Sequence, residues 1–142
     1  MPKTSHHPEI VSKIADSFAR QNMMSLLKAE ISVEKPGQAI ITAPILPKTH
    51  QQHGFAHAAV AFALGDSAAG YAALSVMPLD REVLTAEMKI NLLAPAKGQK
   101  LRAIGHVIKP GKRLVIVGAT VLAIDGDRET EVAILQGTMV PV

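Results

Sequence analysis

A chain of 142 residues, 48% hydrophobic, 19% charged and without cysteine, has the size and balance of one globular domain rather than of a disordered segment. The missing thiols remove disulfides, cysteine nucleophiles and thiolate metal sites, and they suit a reducing compartment, so a cytoplasmic location is expected. Fifteen Lys and Arg against twelve Asp and Glu leave a net charge of +3, which favours a small anionic partner, while four aromatics (Phe18, Phe55, Phe62 and Tyr71) are too few to stack nucleic-acid bases.

Residues 1–8 hold no apolar stretch, so neither signal peptide nor membrane anchor is expected, and His6 and His7 read as a solvated terminus. Apolar residues at Ile10, Val11, Ile14, Ala15, Phe18 and Ala19 predict a short amphipathic helix over 9–22, with Pro8 at its start. Residues 23–33 fit a strand, although 24–30 fit a helix equally well. Pro36-Gly37 is a turn signal, and 38–45 predicts the second strand of a hairpin that Pro44 and Pro47 end.

A polar loop, His50-Gln51-Gln52-His53-Gly54-Phe55-Ala56-His57, then leads into the most apolar stretch of the chain, 58–77. Its only polar side chains are Asp66, Ser67, the Tyr71 hydroxyl and Ser75. A helix with no solvent-facing stripe is either buried or spans a membrane. Alanine and glycine gain little from lipid, and an Asp at a bilayer centre costs about 2.5–3.5 kcal/mol, so a buried helix is expected.

Beyond Met77-Pro78, residues 83–93 alternate, Leu84, Ala86, Met88, Ile90 and Leu92 against Thr85, Glu87, Lys89 and Asn91, as a half-buried strand does. Pro95 and Gly98 turn the chain into 100–108, Pro110-Gly111 into 114–124, and Asp125-Gly126-Asp127 into 132–140. These strands form an antiparallel meander. The pattern predicts one α+β domain over 1–142, with 1–22 as an N-terminal helical segment and a long central helix wrapped by a curved antiparallel sheet.

Taken alone, the residues leave two readings of Asp66 open. A carboxylate on a wrapped helix is desolvated at a cost, and it is either bonded to Ser67 or a loop N–H, or used in chemistry. His50, His53 and His57 suggest a metal by count, but Gly54 interrupts any helix through them and no second ligand cluster is near, so no metal is expected. Lys109, Lys112 and Arg113 are either a solvated turn or an anion contact. There is no Gly-x-Ser-x-Gly elbow and no glycine-rich phosphate loop.

The run His53-Gly54-Phe55-Ala56-His57-Ala58-Ala59, with Leu64-Gly65-Asp66-Ser67 following, resembles the loop and helix of the hotdog-fold thioesterases, specifically the phenylacetate-pathway (PaaI-like) acyl-CoA thioesterases. The segment from Thr85 to Ala96 and the Lys109-Pro110-Gly111 turn resemble the family's next strand and hairpin. The resemblance implies hydrolysis of an acyl-CoA thioester, with no cofactor beyond the coenzyme A of the substrate. Asp66 takes the place of the family's general base or nucleophile, and Gln51 that of an Asn that orients water or substrate. Ala58 stands where the first Gly of a His-Gly-Gly supplies the oxyanion-binding N–H, and Thr85 matches a Ser or Thr from the neighbouring subunit. His53, Gly54, His57, Ala59, Ser67 and Met88 are implied along the substrate, Lys112 and Arg113 at the coenzyme A phosphates, and a homodimer assembling to a homotetramer as the working form. A hotdog dehydratase and a non-catalytic acyl-CoA-binding module are the alternatives on the same fold.

Overall fold

The computed structural model describes residues 7–142. The reading of the extreme N-terminus as leaderless, and of His6 as solvated, lies outside the described residues. Helix α1, His7–Ala19, starts two residues before the predicted one, so His7 belongs to its first turn and Pro8 sits where a missing N–H costs nothing. Its Ile10 and Ile14 are buried.

The ambiguous stretch divides. Asn22–Leu26 forms the short helix α2, and only Glu30–Ser32 is strand β1. The divider is Lys28 at φ 56°, with the Ala29 N–H reaching back to the Met24 carbonyl at 2.9 Å and the Lys28 N–H to that of Ser25 at 3.0 Å. This left-handed closure ends a helix and releases the chain in extended form.

Strand β2, Gln38–Pro44, buries Ala39, Ile41 and Ala43 in strict alternation. A 3-10 turn at Pro47–Thr49 precedes the long helix α3, Ala58–Leu74. Then come β3 (Val83–Leu92), β4 (Lys100–Lys109), β5 (Val115–Asp125) and β6 (Arg128–Pro141). All six strands form one antiparallel sheet in the order β1-β2-β4-β5-β6-β3, with β4-β5-β6 as the expected meander.

The core lies between α3 and the concave face of this sheet. Leu101 and Ala103 of β4, Val117, Ala119 and Val121 of β5 and Leu135 and Met139 of β6 point at a helix whose Ala68, Ala69, Ala72 and Ala73 are fully buried. Small side chains on both sides let the backbones approach. The tightest point is Gly105, where a Cβ would lie 2.2 Å from the Ala68 carbonyl carbon and 2.4 Å from the Ala69 nitrogen.

Two expectations change. First, α3 is not covered all round: Ala59 and Phe62 are exposed and Asp66 is half-buried, and the three follow one another at helical spacing on one side. Second, β3 does not alternate as predicted, because Leu84 is 57% and Leu92 58% exposed, Ala86 is exposed too, and only Val83, Met88 and Ile90 pack against the core. The register shifts between Thr85 and Glu87, and β3 is a terminal strand paired only with β6. A bulge flips the faces, and among the described residues no strand pairs with the outer edge. Among the described residues no helix is long and apolar enough to cross a membrane.

Replacing Gly105 by Ala sets a methyl group against helix backbone, which cannot move aside as a side-chain tip does. We expect a loss of about 3 kcal/mol, or about 10 °C in Tm by calorimetry. Gly65→Ala, whose Cβ would meet the mobile Leu135 tip at 2.8 Å, should cost clearly less.

Candidate active site

Asp66 sits midway along α3, on the side the sheet leaves open. The Thr85 hydroxyl of β3 lies 2.8 Å from Asp66 Oδ1, to which it donates, and 3.3 Å from Met139 Sδ. Thr85 reaches Asp66 within one chain, so the two act as a pair on a single subunit. The cause is topological: β3 ends the sheet beside β6 and so runs along the flank of α3.

Burial pushes the Asp66 carboxyl up from its ordinary value, and the Thr85 hydrogen bond pulls it part of the way back. The result is a carboxylate more basic than one in water, with one oxygen held and the other open.

A cavity of about 300 Å³ opens beside this pair, lined by Ser17, Gln21, Asp66, Ser67, Tyr71 and Thr85, with Leu74, Leu84 and Met139 as its apolar wall. Helix α1 closes the end away from Asp66. Gln21 Nε2 donates to the Tyr71 hydroxyl at 2.8 Å, Ser17 Oγ is 3.0 Å from it, and the Phe18 ring stands edge-on to Tyr71 at 6.1 Å. Lys13 fixes α1 in place by donating to the Leu79 and Arg81 carbonyls and pairing with Glu82 at 3.3 Å. Ser17, Gln21 and Tyr71 were not singled out from the sequence. The available signal was a lone phenol in an otherwise apolar helix, five residues after Asp66.

The histidine-rich loop folds on itself. Gln51 Oε1 accepts from the His53 N–H at 2.6 Å and the Phe55 N–H at 3.2 Å, while the Gln51 N–H donates to the Phe55 carbonyl at 2.8 Å. The amide oxygen of Gln51 therefore holds the loop, and its NH₂ has no partner among the described residues. His53 and Gly54 form the exposed tip, with Gly54 at φ 85°. His57 caps α3, its Nδ1 accepting from the Ala59 N–H at 2.9 Å. That bond occupies the Ala59 N–H and leaves the Ala58 N–H, at the positive helix start, without a partner among the described residues.

The remaining residues separate. Ser67 lines the Asp66 cavity, whereas Met88 packs on the core further along β3. Lys112 lines a second cavity of about 440 Å³ with Arg81, Val76 and Met77, and the exposed Arg113 follows it in sequence. The β4–β5 turn meets the chain just beyond the C-terminal end of α3, and Asp66 lies about 12 Å back along the helix axis from Leu74. Among the described residues no three His, Asp or Glu come together as a metal site.

A long helix of small residues laid across a curved antiparallel sheet, with a carboxylate on its open side, defines a hotdog-fold protein. The sequence profile of the Thioesterase superfamily matches residues 53–130. A protein of Saccharolobus solfataricus whose name proposes an esterase is 30% identical over 119 residues, 82% of this chain and 76% of that protein. A thioesterase family protein from Silicibacter pomeroyi superposes with a TM-score of 0.91 at 38% identity, covering 94% of this chain and 98% of that one. The PaaI protein of the E. coli phenylacetic acid degradation operon shares the fold, with a TM-score of 0.85 at 18% identity over 96% of this chain and 95% of its own. The chain belongs to the thioesterase superfamily.

Because Asp66 titrates higher in the folded than in the unfolded chain, its ionised form destabilises the fold. That penalty is fully present above the raised value and disappears as the pH falls through it to the ordinary carboxylate value near 4. Asp66→Asn should therefore melt above the wild type at pH 7, and the gap should close on acidification. Calorimetry across that range checks both the sign and the closure.

Proposed function

We propose that this protein hydrolyses an acyl-CoA thioester to the free acid and coenzyme A, with Asp66 as general base or nucleophile and the Ala58 N–H as oxyanion donor. The observation that carries the reading is the partly desolvated Asp66 carboxylate, one oxygen held by Thr85, on the wall of a cavity of acyl size, in a chain of the thioesterase superfamily. A raised carboxyl is a better base. It either takes a proton from the attacking water, or attacks the carbonyl itself to give a mixed anhydride that water then cleaves; in both routes the C–S bond breaks and the thiolate of coenzyme A leaves and is protonated. The negative charge that builds on the carbonyl oxygen calls for a donor at a helix N-terminus, and the unengaged Ala58 N–H suits it.

Ala58 and Asp66 are eight residues apart on one helix, about 12 Å along its axis, yet both must come within about 3 Å of one carbonyl group. Two copies of the chain meet this condition if Asp66 and Thr85 of one act with Ala58 and Gln51 of the other. The uncovered side of α3 and the unpaired edge of β3, with Leu84 and Leu92 exposed, support such a pairing, because an apolar open edge is stable when a second strand covers it. Association of dimers into a tetramer extends the same proposal.

Asp66→Asn keeps the shape of the side chain and removes its basicity. Hydrolysis of a panel of acyl-CoA thioesters, followed by free thiol release, should fall at least a hundredfold, and a variant within tenfold of wild type, under about 1.4 kcal/mol of barrier, would refute the role. Sedimentation at micromolar concentration should show a dimer or a tetramer; a monomer that turns over substrate would sink the shared site.

A further inference from the structure

The Asp66 cavity has two ends of opposite character. At the reacting end are Asp66 and Thr85; at the far end Ser17 of α1 and Gln21, in the link between α1 and α2, meet the Tyr71 hydroxyl. Tyr71 follows Asp66 by five residues, about 7.5 Å along the axis.

Between them lies Gly70. Unlike Gly105, it is not required by packing: a Cβ there would meet only Met139, at 3.7 Å, an ordinary contact, and its φ is not in the left-handed region. A glycine inside a helix is the less stable choice against alanine, and the room that its missing methyl leaves opens into the cavity it lines.

The far end also keeps unspent hydrogen-bonding capacity. The Tyr71 hydroxyl uses one N–H of Gln21, leaving the other N–H and Oε1 without partners among the described residues. Gln21 stands at the N-cap of α2, yet its side chain makes no capping bond there. The charges that line the cavity are both negative, Asp66 and Glu82. The nearby cation, Lys13, is engaged with Glu82 and with the Leu79 and Arg81 carbonyls. A second carboxylate on the ligand would therefore be repelled, and a plain hydrocarbon end would strand the polar groups of Gln21 and Ser17.

We infer that Ser17 of α1 and Gln21 of the α1–α2 link, set by Tyr71, determine acyl specificity, selecting acyl groups whose distal end carries a neutral hydrogen-bonding group such as a hydroxyl, keto or amide. The inference rests on the reading of Asp66 as the thioester-cleaving residue, and it names the other end of that same site.

The test uses the full chain and coenzyme A thioethers, which cannot be hydrolysed: S-hexyl, S-(6-hydroxyhexyl) and S-(5-carboxypentyl). Calorimetric titration should give the hydroxyhexyl compound a Kd about fivefold or more below that of the hexyl compound, with the carboxypentyl compound weakest. Gln21→Leu should bring the hydroxyhexyl-to-hexyl ratio close to one, and Gln21→Lys should move the preference toward the carboxypentyl compound. Gly70→Ala, which the helix accommodates, should weaken all three six-atom arms more than an S-ethyl compound. Equal affinity for hexyl and hydroxyhexyl arms in the wild type overturns the inference. So does a Gln21→Leu variant that loses Tm and weakens every ligand alike, since that is the mark of a purely structural glutamine. Turnover of the matching thioesters separates the two readings. Hydrolysis with flat Kd ratios removes the specificity role and keeps the hydrolase, whereas intact ratios without hydrolysis do the reverse; no binding by any of the thioethers defeats the inference outright.

Discussion

The backbone of β4 lies directly on the backbone of α3 at Gly105, where Ala68 and Ala69 leave no room for even one methyl group. From that contact the rest follows. A helix seated so close must present alanine and glycine to the sheet, and a sheet that curves around one helix must meet it with small or β-branched side chains, as Ala103, Val117, Ala119 and Val121 do. Close packing also fixes the rotation of the helix about its axis. Once Ala68, Ala69, Ala72 and Ala73 face the strands, Asp66 is turned toward the flank rather than into the core.

That placement sets the electrostatics of the site. A carboxylate wholly inside the sheet would be neutral and useless as a base, and one in open water would have its ordinary strength. Asp66 lies between the two: half-buried, raised by desolvation and restrained by the single hydroxyl of Thr85. The bulge between Thr85 and Glu87 belongs to the same design, because it turns Thr85 toward the helix while exposing Leu84 and Ala86. An edge strand can afford such an irregularity where a central strand cannot.

Helix α1 packs against α2 and α3 more than against any strand, and it closes the cavity. Its attachment is polar, through Lys13 to the 79–82 segment and through Ser17 and Gln21 to Tyr71, so its inner face meets a ligand as a set of hydrogen-bonding groups. The Asp66 end of the cavity is thus built from the sheet and α3, and its far end from an addition to them.

Much of this was legible in the residue order. The 58–77 run without a polar stripe, broken by one aspartate, specified a wrapped helix with a carboxylate worth explaining, and the turn signals at Pro36-Gly37, Pro110-Gly111 and Asp125-Gly126-Asp127 delimited the strands, because these features depend on local sterics and on periodic burial. The motif order also carried the family. What the order of residues could not contain was which separated positions meet. Thr85 was read as a neighbour's contribution and proves to touch Asp66 in its own chain. Lys112 was read at the coenzyme A phosphates and lines a cavity separate from that of Asp66. Gln51 spends its oxygen on its own loop, and Ser17, Gln21 and Tyr71 gave no periodic signal at all. Local pattern decides the elements, since each residue's backbone preference and burial act over a few neighbours. Only the tertiary structure decides which flank of α3 stays open, because that depends on the strand order of the sheet and on one glycine letting two backbones touch.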